Sequence, residues 1–486
     1  MWFTLWQAIA STALTVAVAL PAAWALGRVE FRGKSVIRAL LTVPFVLPTV
    51  VVASAFVSLS RSPATSWAAG GLVAILAAHV FFNYAVVTRI VGSAWADMHP
   101  VVTDAGRVLG ASPIAVFRRI TLPLLRPALS AAATIVFLFT FTSFGVVLIL
   151  GGTRWSTLEV EIYRRTAQLL DLPAASLLAL LQMAAVAAAL VMWGRVQARN
   201  PAAFELVQRR TAQPSRGHRS RLAALSFAPA IVLIAVPLAA LVAGAFSNRF
   251  GPGLAYFRAL GESRRGSTLF VAPTSAVANS VLFALAATAL AVAIGGSAAL
   301  VIAGRGKHRR SRRVFDTVMM LPLGTSAVTL GFGLLITFDA YPVDFRGSIA
   351  LVPLAHALVG IPFVVRTLVP ALRGIPPVMR DAARTLGADR RQLLRRVELP
   401  LVWRSALVGA GFACAVSLGE FGATAFLARP THPTVPVAIF RFLGQPGALN
   451  RGQALALSVI LMGLVVAVVL AAEMVASRRA QERILS

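Results

Sequence analysis

Long runs with few or no Asp, Glu, Lys or Arg alternate along the chain with short stretches rich in Arg. The apolar runs lie near 4–26, 39–60, 71–95, 127–152, 172–193, 222–246, 275–303, 316–338, 347–371, 402–427 and 452–474. Each is long enough to cross about 30 Å of hydrocarbon as a helix. No segment alternates with a period of two residues between turns, which excludes a transmembrane β-barrel. The pattern predicts an all-α integral membrane protein with about 11 transmembrane helices.

Composition agrees: of 486 residues, 58% are hydrophobic and 13% charged, which no ordinary soluble enzyme shows. The formal net charge of +29 would suggest nucleic acid in a soluble protein. Here the basic residues crowd short loops, where they set which side of the membrane a loop occupies. The partner they imply is membrane lipid, and no nucleic acid. Met1 to Gln7 lacks Lys and Arg, whereas Arg28, Arg32, Lys34 and Arg38 follow the first span. The N-terminus is therefore expected outside a cytoplasmic membrane. Loops 27–38, 97–123, 194–221, 304–315 and 372–400 and the C-terminal tail are expected in the cytoplasm. The outer loop 247–274 carries Arg249, Arg258, Arg264 and Arg265 and fits this topology least well. The single Cys414 allows no intrachain disulfide.

Sliding the sequence on itself by 277 positions reveals a tandem repeat. It aligns Gly27-Arg28 with Gly304-Arg305, His79 with His356, Arg89 with Arg366, and Phe144-Gly145 with Phe421-Gly422. The densest match, 100–124 with 377–401, has 13 identities in 25 positions. Six spans separate equivalent points, so the two copies are parallel repeats that cross the membrane in the same direction. The division expected is a first repeat over 1–193, a basic cytoplasmic linker over 194–221 and a second repeat over 222–486.

The repeated loop reads as two short helices separated by a glycine. The first runs Pro100–Leu109 and Pro377–Leu386, with Pro at its first position and Gly110 or Gly387 at its stop. The second starts at the N-cap residues Ser112 and Asp389 and is expected to end at Leu122-Pro123 and Leu399-Pro400. Small residues at 105, 106, 382 and 383, flanked by Asp104, Arg107, Asp381 and Arg384, suit a close-approaching partner surface. An ordinary interfacial helix is the competing reading for one copy. Duplication at matched positions favours a pseudo-twofold docking surface for a dimeric partner.

Asp104-Ala105-Gly106-x-x-x-Gly110 and Asp381-Ala382-Ala383-x-x-x-Gly387, each followed by Leu-Pro, resemble the Glu-Ala-Ala-x-x-x-Gly loop of binding-protein-dependent ABC importer permeases. Two such loops in one chain are similar to the fused permeases of thiamine and ferric-iron importers. The stretch from Ser417 to Leu427, followed by Pro433 to Phe440, carries the resemblance further. It implies alternating access across the membrane, an ABC ATPase dimer on the cytoplasmic side that takes the two loops and uses the ATP, and an extracytoplasmic solute-binding protein. Asp stands for the usual Glu in both loops, and Gly106 for the second Ala in the first. The resemblance also implies six spans in each half. Only five are read in the first, so either one helix is absent or the true start lies upstream of Met1.

No phosphate loop of the Gly-x-x-x-x-Gly-Lys-Ser/Thr type is present, so ATP hydrolysis is assigned to a separate subunit. No cluster at metal-ligand or catalytic spacing is found, and the chain reads as a transport subunit with no cofactor of its own. The remaining candidates are polar residues inside spans. His79 and His356 either join helices by hydrogen bonds or line the path. Glu420, the single acid of its span, is a candidate for the translocation path, or else it balances an Arg in the bundle. Arg89 and Arg366 are expected to snorkel to the interface. Glu159 and Glu161, with Arg164 and Arg165 nearby, are expected on an outer loop, either as a solvated surface, the favoured reading, or in contact with the binding protein. An ion-coupled secondary transporter is the alternative function, and a membrane enzyme acting on lipid-linked substrates is a third, for which no acidic or metal-binding cluster is seen.

Overall fold

The computed structural model describes residues 1–31, 33–59, 66, 70–198, 213–214, 218–248, 251–263, 267–304, 309–338 and 347–485. Among them, nine helices are long and apolar enough to span a membrane: Trp2–Arg28, Leu72–Asp97, Pro113–Phe141, Leu172–Met192, Leu225–Phe246, Pro273–Ala303, Leu351–Arg373, Arg390–Gly419 and Ala448–Val475. The β structure among the described residues is two two-residue ladders and one isolated bridge, Arg429 to His432. The chain is an all-α, multi-pass membrane protein.

Four of the eleven apolar stretches are not continuous helices. The stretch 39–60 is divided into Lys34–Val46 and Thr49–Leu59. Pro48 lies at the break, and a residue before proline is pushed away from helical geometry. In the stretch 316–338, Arg310–Pro322 and Ala327–Thr337 meet at 96°. Ser326 starts the second piece by accepting hydrogen bonds from the Val328 and Thr329 N–H groups. The stretches 127–152 and 402–427 also stop short, at Phe141 and Gly419, and resume as the short helices Gly145–Leu150 and Thr424–Leu427.

The chain forms two compact units, 1–45 with 52–243 and 46–51 with 244–486. In the first, Ala19, Ala22, Ala23 and Leu26 of Trp2–Arg28 pack into a core with Val80, Tyr84, Val87 and Val91 of Leu72–Asp97. Lipid tails are as apolar as leucine, so close van der Waals packing between small residues, rather than water exclusion, holds such helices together. A Cβ on Gly27 would sit 2.7 Å from the Gly92 carbonyl oxygen, so the missing side chain is what permits this approach. Phe227 and Ala230 of the helix His218–Phe246 belong to the same core. In the second unit Ala291, Ala298 and Ala299 of Pro273–Ala303 play the matching part against Ile361, Val364 and Leu368 of Leu351–Arg373. Most of the basic linker read over 194–221 lies outside the described residues.

Candidate docking loops and intramembrane polar sites

The repeated loop folds alike in both units. Its first helix is Pro100–Val108 in one and Pro377–Thr385 in the other. Proline at the first position suits a site whose N–H would have no helical partner. Each helix then stops in a Schellman turn. Gly110 and Gly387 adopt φ of +79° and +82°. Their N–H groups donate to the Arg107 and Arg384 carbonyls at 2.9 Å, and Ala111 and Ala388 donate to those of Gly106 and Ala383 at 3.0 Å. A side chain other than glycine is strained at such φ. The turn leaves an apolar tip uncovered: Leu109 is 86% and Leu386 88% exposed. The glycine motif marked the turn, but it did not single out the leucine before it.

The second helix begins as expected. Ser112 accepts from the Ala115 N–H, and Asp389 accepts from that of Gln392 while the Gln392 side chain accepts from the Asp389 N–H, a full capping box. It does not end at Leu122-Pro123 or Leu399-Pro400. A π-helical turn, Phe117–Thr121 or Leu394–Glu398, carries it straight into the span. The Leu122 and Leu399 N–H groups reach back five residues, to the Phe117 and Leu394 carbonyls. Each proline then falls in the first turn of the next α segment, where a missing N–H is tolerated.

Asp104, Ala105, Asp381 and Ala382 are exposed. Exposed pairs join Asp104 to Arg107 at 3.5 Å and Asp381 to Arg384 at 3.6 Å. Gly106 is not part of the open face. It is buried, and a Cβ there would come within 2.7 Å of Ile120 Cδ1, so its smallness serves packing within the unit. Its counterpart Ala383 is half-buried.

A second difference lies at the base of the loops. In the second unit the half-buried Arg380 guanidinium donates to Glu398 at 2.7 Å, to the Leu372 carbonyl at 2.8 Å and to that of Ile375 at 3.3 Å. The matching residues of the first are Thr103, which donates to the Pro100 carbonyl, and the buried Thr121. There the base is packed instead, with Trp95 stacked on Phe117 at 6.2 Å.

Within the spans both histidines bridge separate segments. His79 is hydrogen-bonded to Ser11 through Nδ1 and to Ser143 through Nε2, each at 2.9 Å. His356 is bonded to Ser417 at 2.8 Å and Thr424 at 2.7 Å. All six side chains are buried. Glu420, which occupies the repeat position of Ser143, lies in the break between the helices ending at Gly419 and starting at Thr424. Its carboxylate accepts the Ala423 N–H at 3.0 Å and that of Gly422. It caps backbone rather than balancing an Arg. Arg89 and Arg366 are exposed in the second halves of their helices.

The expectation of a solvated loop at Glu159 is overturned. Glu159 is fully buried in the helix Leu158–Ala167 and accepts a hydrogen bond from Gln182, 23 residues away. Glu161, in contrast, pairs with Arg165 at 3.0 Å on a partly open surface. Hydrogen bonds to Glu161 and Asp171 hold the Arg165 guanidinium charge even above its ordinary range. Among the described residues no group of three His, Cys, Asp or Glu is placed to hold a metal.

Known proteins are similar to this chain in sequence. The chain is 28% identical over 99% of its length to the thiamine transport system permease protein ThiP of Brucella abortus, covering 87% of that protein. It is 26% identical to ThiP of Escherichia coli over 92% of this chain and 84% of that one. A probable ABC transporter permease protein of Sinorhizobium fredii, y4fN, is 25% identical over 99% of this chain and 88% of the relative. The model of the binding-protein-dependent transport system inner membrane component family matches residues 19–199 and again 291–481. With one match in each repeat, the chain belongs to that family and is a fused two-repeat ABC importer permease, a transport subunit and not an enzyme.

Proposed function

We propose that this permease imports thiamine by ATP-driven alternating access. Its two repeats, joined through 194–221, receive the two halves of a cytoplasmic ATPase dimer. The observation that carries the docking reading is the pair of Schellman-capped helices at matched repeat positions, each presenting an exposed leucine tip. Opposite them a solute-binding protein delivers the substrate. The basic loops support an N-terminus outside and a C-terminus in the cytoplasm. ATP is bound by the partner subunit.

The naming of ThiP relatives from two organisms along nearly the whole chain favours thiamine over ferric iron. We assign Glu420 to the path, since it is the single acid of its span, sits where the helix is broken, and an acid at membrane depth is costly to keep without a role. His79 and His356 spend both ring nitrogens on neighbouring hydroxyls and serve cohesion of the bundle.

Uptake of labelled thiamine and of labelled ferric iron, in cells with and without the gene and with and without ATP depletion, tests the substrate. Loss of ATP-dependent thiamine uptake alone is expected. Unchanged thiamine uptake on deletion rejects the assignment. Glu420→Gln is expected to lower the transport rate, and an unaltered rate and affinity removes it from the path.

A further inference from the structure

A cleft of about 410 Å³ opens in the second unit, lined by Ile302, Gly304, Arg312, Arg313, Asp316 and Arg373. Three arginines and one aspartate thus line it. Two of the arginines are oriented by backbone: Arg312 donates to the Gly304 carbonyl, and Arg373 to that of Ile302 at 3.3 Å. A guanidinium carries five donors in a planar fork, so the bond to Ile302 aims Arg373 while leaving N–H groups for an anion.

The position of the cleft narrows the choice of anion. The spanning helices Pro273–Ala303 and Leu351–Arg373 both end there, so it lies where the apolar layer gives way to headgroups. The helix Arg309–Gly324 rises from it, and its Val314, Val318 and Leu321 are 59%, 45% and 58% exposed. Spaced by four and three residues, they form one apolar stripe leading away from the arginines. A charged cleft continued by an uncovered apolar stripe matches a molecule with an anionic head and an acyl chain.

The first repeat has no such constellation. At the positions of Arg312, Arg313, Asp316 and Arg373 it carries Ser35, Val36, Ala39 and Ala96. The first repeat does carry positive charge at this end, in Arg28, Arg32, Lys34 and Arg38, but not at the positions that match the cleft, so this set of three arginines and one aspartate is particular to the second.

We propose that this cleft binds the phosphate of an anionic phospholipid headgroup, with an acyl chain along Val314, Val318 and Leu321. The inference requires only that the chain spans a membrane, and it stands or falls apart from the thiamine assignment.

The test is native mass spectrometry of the full chain in detergent, titrated with phosphatidylglycerol or phosphatidylcholine. The expected result is a phosphatidylglycerol adduct that weakens about tenfold in Arg313→Gln and further in Arg313→Gln/Arg373→Gln, with phosphatidylcholine unaffected. Because Arg373 also bonds Ile302, Asp316→Asn serves as a second variant. Removing the lone carboxylate is expected to tighten phosphatidylglycerol binding severalfold. Equal phosphatidylglycerol binding by the wild type, Arg313→Gln and Asp316→Asn overturns the proposal. Inorganic phosphate supplies the remaining arm. If millimolar phosphate displaces the lipid in competition and binds equally well alone, the cleft is a free-phosphate site and the lipid assignment is wrong. If phosphate fails to displace it, the acyl chain contributes and the lipid assignment stands.

Discussion

The two repeated loops end in the same turn but rest on different foundations. Pro377–Thr385 is tied at its base by Arg380 to Glu398 and to two carbonyls, whereas Pro100–Val108 rests on the packing of Gly106 against Ile120 and of Trp95 against Phe117. The turns are near copies, with φ within a few degrees at Gly110 and Gly387. The two copies agree in the part that faces outward and differ in the contacts that support it. One repeat holds its loop helix by charge, the other by shape.

The largest effect that separates them is expected at Arg380. Its exposure is 14% and that of Glu398 is 17%, so removing one partner leaves a largely desolvated charge. Arg380→Ala is expected to destabilise the base of the second loop by about 2 to 3 kcal/mol, while Thr103→Ala costs about 0.5 kcal/mol or less. Amide hydrogen exchange of residues 377–388 and 100–111 reads this directly. Equal protection loss in the two loops would mean the ion pair does not anchor the helix.

Next come the histidines. His79→Ala and His356→Ala each remove two interhelical hydrogen bonds and leave a cavity, an expected loss of about 1 to 3 kcal/mol in thermal stability of the detergent-solubilised protein. The two values should agree despite the different partners, Ser11 and Ser143 against Ser417 and Thr424. A transport defect in either variant without loss of stability would return that histidine to the path.

Smaller and again symmetric is the cost at the turns. Gly110→Ala and Gly387→Ala force a Cβ into left-handed backbone at about 1 kcal/mol each. Weakened co-purification with the ATPase, by the same factor in both, is the expected readout. An effect in one variant alone would show that the two loops do not dock equivalently.

The smallest change sharpens the comparison most. Ala383→Gly lowers helix propensity by about 1 kcal/mol, and Gly106→Ala gains that propensity but meets Ile120. Ile120→Val should relieve the contact, so that Gly106→Ala/Ile120→Val is more stable than Gly106→Ala. If the single variant is already stabilised, the Ile120 side chain moves aside and Gly106 is not required for packing.

Much of this was legible in the residue string. A 277-residue offset exposed the repeat, and the caps at Ser112 and Asp389 and the turns at Gly110 and Gly387 followed from single-residue stereochemistry that neighbours do not override. Other features were not. Leu-Pro at 122–123 and 399–400 reads as a helix stop, yet a π-turn absorbs each proline, a register that proline rules applied to an α-helix do not contain. The stretches 39–60 and 316–338 are apolar enough to span, and hydropathy does not record that Pro48 and Ser326 break them. Glu159 reads as loop because its partner Gln182 is 23 residues away and comes from another helix.

What the sequence determined by itself was therefore whatever depends on local chemistry summed along the chain: membrane insertion, helix as the spanning element, duplication, caps and glycine turns. Only the tertiary structure decided which side chains meet. It buried Gly106, turned Glu420 toward backbone N–H groups, joined Arg380 to Glu398 and drew Arg312, Arg313 and Arg373 around one cleft. In a bundle of apolar helices many pairings satisfy hydropathy equally well, and the choice among them rests on close packing and on where each buried polar group finds its partner.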